Sequence, residues 1–171
     1  SAPAEEPATA EAEPAPAAEE TEMAALAEQE AAAAAEEAAP AAAGGGDGVM
    51  AGLSPDFAAA LASASADDGE GVFRKCAACH KLDEGKHAVG PSLHGVIGRP
   101  IGSADGFRYS DVIGGMDGEW TYAKLNAFLE APRKWAKGTK MAFAGLRDIE
   151  DRAAVVKYIN EADGSPEPMP E

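Results

Sequence analysis

Hydrophobic and polar positions divide the chain near residue 50. Residues 1–49 are mostly Ala, Glu, Pro and Gly, with hardly a large apolar side chain. Such a segment buries too little surface to offset chain entropy, so a disordered linker is expected over 1–49. Within it, the Ala/Glu run from Met23 to Ala39 favours transient helix, ended by Pro40 and Gly44-Gly45-Gly46. Apolar positions then recur at Met50, Leu53, Phe57 and Leu61. With Ser54 as a cap and Pro55 at the first helical position, this spacing predicts a short amphipathic helix over about 55–64. Residues 50–66 read as this helix plus a junction, its apolar stripe packed on the domain that follows.

A compact domain is expected over 67–165. Asp67 or Asp68 is read as the cap of a helix that ends at a Cys-Ala-Ala-Cys-His run, residues 76–80. Glu84 to Gly118 is rich in Gly and lacks the sustained alternation that marks strands. Helical patterns return at Tyr122–Glu130, Arg133–Lys137 and Ile149–Glu161. Residues 166–171, mostly Pro and Glu, read as a frayed tail. The expected fold class is mostly α, with helices joined by long Gly-rich loops. So few strong apolar residues would leave a thin core, which a large flat apolar cofactor would complete.

Charge changes this picture only by its location. The formal net charge is −16, but residues 1–66 hold 13 acidic and no basic side chains, whereas residues 67–171 hold 17 acidic and 14 basic. The excess therefore belongs mainly to the first segment, and no nucleic-acid partner is expected. Two cysteines are too few for a disulfide framework. No stretch approaches the ~20 apolar residues of a membrane span, and the opening Ser-Ala-Pro-Ala-Glu-Glu has no signal-peptide character.

Cys76, Cys79 and His80 form C-x-x-C-H, the spacing of covalent haem attachment. Two thiols on one helical turn reach two vinyl groups of one porphyrin, and the next imidazole meets its iron. A redox dithiol would need a βαβ setting, and a zinc site would need a second ligand pair. A second axial ligand is sought among His87, His94 and the methionines.

Beyond that motif, residues 67–162 resemble the class I, mitochondrial-like cytochromes c. The likeness rests on Gly69-x-x-x-Phe73 before the cysteines, on Lys86-His87-Ala-Val-Gly90-Pro91-Ser-Leu93-His94-Gly95, and on Gly98-Arg99. It continues through Gly106-Phe107-Arg-Tyr109-Ser110, Trp120, Gly138-Thr139-Lys140-Met141-Ala-Phe143-Ala-Gly145, Val155 and Tyr158. The resemblance implies the class I cytochrome c fold around one covalent haem c held by Cys76 and Cys79, with iron between His80 and Met141 and no catalytic residues. It implies that the Pro91 carbonyl takes the His80 Nδ1 proton, and that Tyr109, Trp120 and Thr139 donate around the propionates with Arg99 as counter-charge. By the same resemblance Phe143 is expected to cover the haem edge, and Gly69 to let the first helix cross the last near Val155 and Tyr158. His87 and His94 read as structural loop residues, and Met116 as loop packing. Two departures stand out: Phe128 where many relatives have a Tyr that contacts the axial Met, and Lys137 where Pro is common.

The implied function is single-electron carriage in respiration or photosynthesis, between a cytochrome bc-type complex and cytochrome c oxidase or a photosynthetic reaction centre. A five-coordinate peroxidase or gas sensor would need Met141 unbound, and a fixed cytochrome subunit would not need a long tail. Docking is expected through Lys75, Lys81, Lys86, Lys134, Lys137 and Lys140 around the haem edge, with Asp148, Glu150, Asp151, Glu161 and Asp163 behind. The N-terminal segment looks like the linker of the membrane-anchored cytochrome cy type. The expectation is a monomer in the periplasm, tethered by an upstream anchor absent from this chain. A 66-residue tether would span roughly 45 Å by the ~5–6 Å × √n rule.

Overall fold

The computed structural model describes residues 48–171; the linker expectation over 1–49 and the transient helix at Met23–Ala39 fall outside them, save for Gly48 and Val49. A 3₁₀ turn, Gly48–Met50, precedes six α-helices: α1 Pro55–Ser63, α2 Ala66–Phe73, α3 Asp111–Gly114, α4 Tyr122–Glu130, α5 Pro132–Trp135 and α6 Ile149–Ala162. Among the described residues the only β pairing is one isolated antiparallel bridge, Pro100 with Glu119. No helix of the described residues is long and apolar enough to cross a membrane.

Local chemistry sets the helix starts. Ser54 accepts a hydrogen bond from the Phe57 N–H at 3.4 Å, and Pro55 opens α1. The cap of α2 differs from expectation: Ser65 accepts from the Asp68 N–H at 3.5 Å, while Asp67 and Asp68 sit inside the first turn. There their carboxylates face the positive end of the helix dipole. The short α3 lay in the stretch read as turns, and α5 begins at Pro132 rather than Arg133.

The frame is a crossing of α2 over α6. A side chain at Gly69 would collide with the Ala154 carbonyl and with Tyr158 Cβ, so only Gly allows this approach. One turn on, the Phe73 and Tyr158 rings meet at 5.4 Å. Helix α1 packs on α6 with Phe57 and Leu61 fully buried, and Lys157 Nζ donates to the Ala64 carbonyl at 3.0 Å. That cation sits at the negative end of α1.

The segment expected as a frayed tail makes tertiary contacts at Glu167 and Met169. Asn160 clasps the Glu167 backbone from both sides: its Nδ2 donates to the carbonyl at 2.9 Å and its Oδ1 accepts the N–H at 2.9 Å. The Tyr122 hydroxyl also donates to that carbonyl, at 3.3 Å, and Met169 packs against the core.

Candidate functional site

A cavity of about 400 Å³ lies within this frame, between the C-terminal turn of α2, α4, α6 and the loop after α5. Its walls are mainly apolar, with Ile97, Ile113, Leu125, Leu129, Val155 and Val156 among them. Cys76, Cys79, His80, Pro91, Arg99, Tyr109, Trp120, Thr139, Met141 and Phe143 all border it. The structure thus brings every expected cofactor-contacting residue to one space. His87 and His94 do not border it.

The first wall is a continuation of α2. The Cys76 N–H donates to the Phe73 carbonyl at 2.7 Å, and the Cys79 and His80 N–H groups both donate to the Cys76 carbonyl at 2.9 Å. This winding places the two thiols and the imidazole on one turn, and both thiols are unbridged. Burial raises the Cys76 thiol pKa, against a lowering by Lys75. His80 Nδ1 lies 2.8 Å from the Pro91 carbonyl, which fixes Nδ1 as the protonated nitrogen and leaves Nε2 with a free lone pair. Burial lowers the His80 pKa and so favours the neutral, ligating form, although the bond to Pro91 works the other way. Gly90 is required here, because a Cβ would strike the His80 ring.

The facing chemistry comes from the loop after α5. The Thr139 Oγ1 accepts the Met141 N–H at 3.2 Å, and the Thr139 N–H donates to the Ala136 carbonyl at 2.9 Å. Thr139 is thereby engaged in shaping the loop. Behind it stands an aromatic cluster. Trp120 stacks on Trp135 at 5.6 Å and meets Phe128 at 5.2 Å.

Arg99 is the clearest sign of an anionic occupant. Its Nη1 and Nη2 donate to the His94 and Ser92 carbonyls at 2.9 and 3.1 Å. Its Nε is buried without a partner among the described residues. Burial lowers the Arg99 pKa, opposed by the Tyr109 phenol, but a guanidinium remains charged. A carboxylate entering the cavity would satisfy that N–H. An apolar space with two thiols, one oriented imidazole, one thioether and one orphaned cationic donor fits a haem with its propionates.

The His87 ring is fully employed. His87 Nε2 lies 2.7 Å from the Asp105 carbonyl, and its Nδ1 accepts the Ser92 N–H at 3.0 Å. Met116 is half-buried against the core. The six lysines are all exposed, but only Lys75 and Lys140 border the cavity; Lys134 borders a cleft next to Phe143. The expected separation of a positive rim from negative charge behind is incomplete: Lys75 pairs with Asp151 at 3.4 Å because α2 and α6 cross there. Lys86 pairs with Asp83 at 3.2 Å.

Some cavity-lining residues carried no motif signal, Leu125 and Leu129 among them. Gly90 could have been singled out as the residue next to Pro91, where a close approach to the imidazole follows from the expected Pro91 bond.

Comparison with known proteins agrees with this geometry. The cytochrome c family matches residues 66–163. The cytochrome c-type cyt cy of Rhodobacter capsulatus is 46% identical over 102 residues, 59% of this chain and 51% of that protein. The chain therefore spans about half the length of that relative. Cytochrome c2 of Rhodoblastus acidophilus is 46% identical over 58% of this chain and 95% of its own length. Among solved structures, cytochrome cH from Methylobacterium extorquens is 37% identical, with a TM-score of 0.54, covering 57% of this chain and 98% of its own. The chain belongs to the cytochrome c family, with the class I fold, and its matched domain is an electron-transfer domain rather than an enzyme, carrying haem c on Cys76 and Cys79.

Proposed function

We propose that this protein carries single electrons between a cytochrome bc-type donor and a terminal oxidase or photosynthetic reaction centre, with the iron held by His80 and Met141. The observation that carries this reading is the His80 ring, fixed by Pro91 at 2.8 Å beside a cavity that Met141 also lines. When bound, haem c supplies a one-electron change at its iron.

The chain's own residues set the conditions for that change. Cys76 and Cys79 fasten the group so that it is never lost to a partner. Pro91 orients the imidazole and raises its basicity. Met141 offers a soft neutral sulfur that favours the ferrous state and raises the potential. Arg99, whose Nε–H is unpaired, would offer a propionate a donor and a counter-charge. With His80 and Met141 both holding the iron, no position would be open to a substrate, so the protein would tune and deliver electrons without bond chemistry.

Delivery is assigned to the cavity mouth. Val89, 79% exposed, borders the cavity, as do the exposed Lys75 and Lys140. An apolar contact flanked by lysines suits brief docking on an acidic partner surface. Transfer rates that did not change with ionic strength would count against this steering. The similarity to a cytochrome cy supports a periplasmic haem domain tethered to the inner membrane, with residues 1–49 as a linker that keeps the domain concentrated near both partners. Purification of the native protein in soluble form, with Ser1 generated by signal cleavage, would contradict the tether.

The test of the ligand set is a visible spectrum of the holoprotein, oxidised and reduced, with and without carbon monoxide. The expected result is a sharp reduced c-type spectrum unchanged by carbon monoxide, with the weak far-red band of thioether-ligated ferric haem. A clear shift on adding carbon monoxide would favour the five-coordinate, gas-binding or peroxidase alternative.

A further inference from the structure

We propose that Arg152 is the positioning residue of the Met141 loop, its guanidinium clasping the far end of that loop onto α4 and thereby setting how firmly the thioether is held. The proposal rests on the reading of Met141 as an iron ligand.

Arg152 is 5% exposed and is the one buried charged side chain among the described residues. No carboxylate lies within ion-pair distance of it among those residues. A cation in such a place is costly unless its donors are well met. They are met by three acceptors: Nε donates to Asn126 Oδ1 at 2.7 Å, and Nη1 donates to the Leu146 and Arg147 carbonyls at 2.7 and 2.8 Å. One rigid fork thus ties α6, α4 and the end of the loop together.

The loop needs that fastening. Its upstream end is held by Thr139 and by Lys140, whose Nζ donates to the Tyr109 carbonyl at 3.2 Å. Residues 142–145 make no hydrogen bond among the described residues. The next backbone attachment is the Leu146 N–H on the Leu129 carbonyl at 2.8 Å, beside the clasp. Met141 therefore hangs in a span fixed at its two ends, and Arg152 supplies most of the downstream end. Loosening the clasp frees the span without touching the His80 wall.

The test follows the far-red band of the ferric holoprotein as pH is raised, together with carbon monoxide binding to the ferrous form. Arg152→Lys keeps the charge but cannot reach three acceptors. It should lower the pH at which the band is lost by roughly one unit, a tenfold weakening of the closed loop. Carbon monoxide should bind correspondingly faster. Asn126→Ala removes one acceptor and should shift the band in the same direction by less; if Arg152→Lys does not fold, this variant decides. Leu61→Ala, on α1, serves as a control that lowers the melting temperature and leaves the band's pH midpoint in place. Wild-type titration in the folded Arg152 and Asn126 variants would overturn the proposal, as would an equal shift in Leu61→Ala. A wild-type protein lacking the band would instead overturn the Met141 reading itself.

Discussion

The turn that carries Cys76, Cys79 and His80 and the loop that carries Met141 border the same cavity, yet they are held in different ways. The first is a continuation of α2, wound by hydrogen bonds among residues 73–80 and completed by two bonds to the loop just after it, His80 Nδ1 to the Pro91 carbonyl and the Gly90 N–H to the Cys79 carbonyl. The second contains no regular structure between Trp135 and Ile149, and its fastenings come from Tyr109, Leu129, Asn126 and Arg152. One wall is set by spacing along the chain. The other depends on segments far away in sequence, so the loss of any one of those fastenings is felt there first.

The largest expected effect comes from breaking the rigid wall. Gly90→Ala puts a methyl group into the His80 ring, and overpacking that cannot relax displaces the imidazole. Holoprotein with a normal c-type spectrum should be essentially lost, because the displaced imidazole can no longer ligate. Next is Leu61→Ala, which empties a fully buried site between α1 and α6 and should cost about 2–5 kcal/mol in denaturant unfolding, with the haem spectrum retained. Gly145→Ala attacks the dependent wall. Its φ of +98° is left-handed and its Cβ would strike the Glu130 carbonyl, so a strain of about 1–3 kcal/mol should make the ferrous protein bind carbon monoxide. If Gly145→Ala left carbon monoxide excluded while Gly90→Ala opened the site, the contrast between the walls would be reversed.

Two smaller effects sharpen the contrast. Phe128→Tyr adds a hydroxyl beside the Trp120–Trp135 stack and should change both the potential and the pH of ligand exchange at Met141. Tyr122 reports on the fold rather than the site. Burial, with Glu167 and Asp163 nearby, pushes its phenol from 10.0 up to about 12. Between those values the native state keeps a proton that the unfolded chain has released. Stability from this group is therefore complete below pH 10.0 and is lost as pH rises toward about 12. Tyr122→Phe should flatten that part of the alkaline unfolding profile.

The same contrast explains what the sequence made legible. The Cys76–His80 turn and the start of α1 at Ser54-Pro55 are written in adjacent residues, so spacing and cap chemistry disclose them. Residues that resemble the family located the other cavity contacts. Nothing local marks Arg152 as buried or Asn160 as a clasp on Glu167, because each acts through a tertiary contact that neither hydrophobic period nor motif encodes. The cap reading chose Asp67 or Asp68 and passed over Ser65, because Ser and Asp are both good cap residues and their letters alone do not set where the helix begins. The pairing of Lys75 with Asp151 likewise follows from that crossing and not from charge counts.

The most direct test of a single iron held between the two walls is the reduction potential of the wild-type holoprotein beside that of Met141→His. Replacing a thioether with an imidazole on the dependent wall should lower the potential markedly and abolish the far-red ferric band, while the covalent attachment at Cys76 and Cys79 persists. An unchanged potential with the band intact would mean that Met141 does not reach the iron, and the account of the second wall would be wrong.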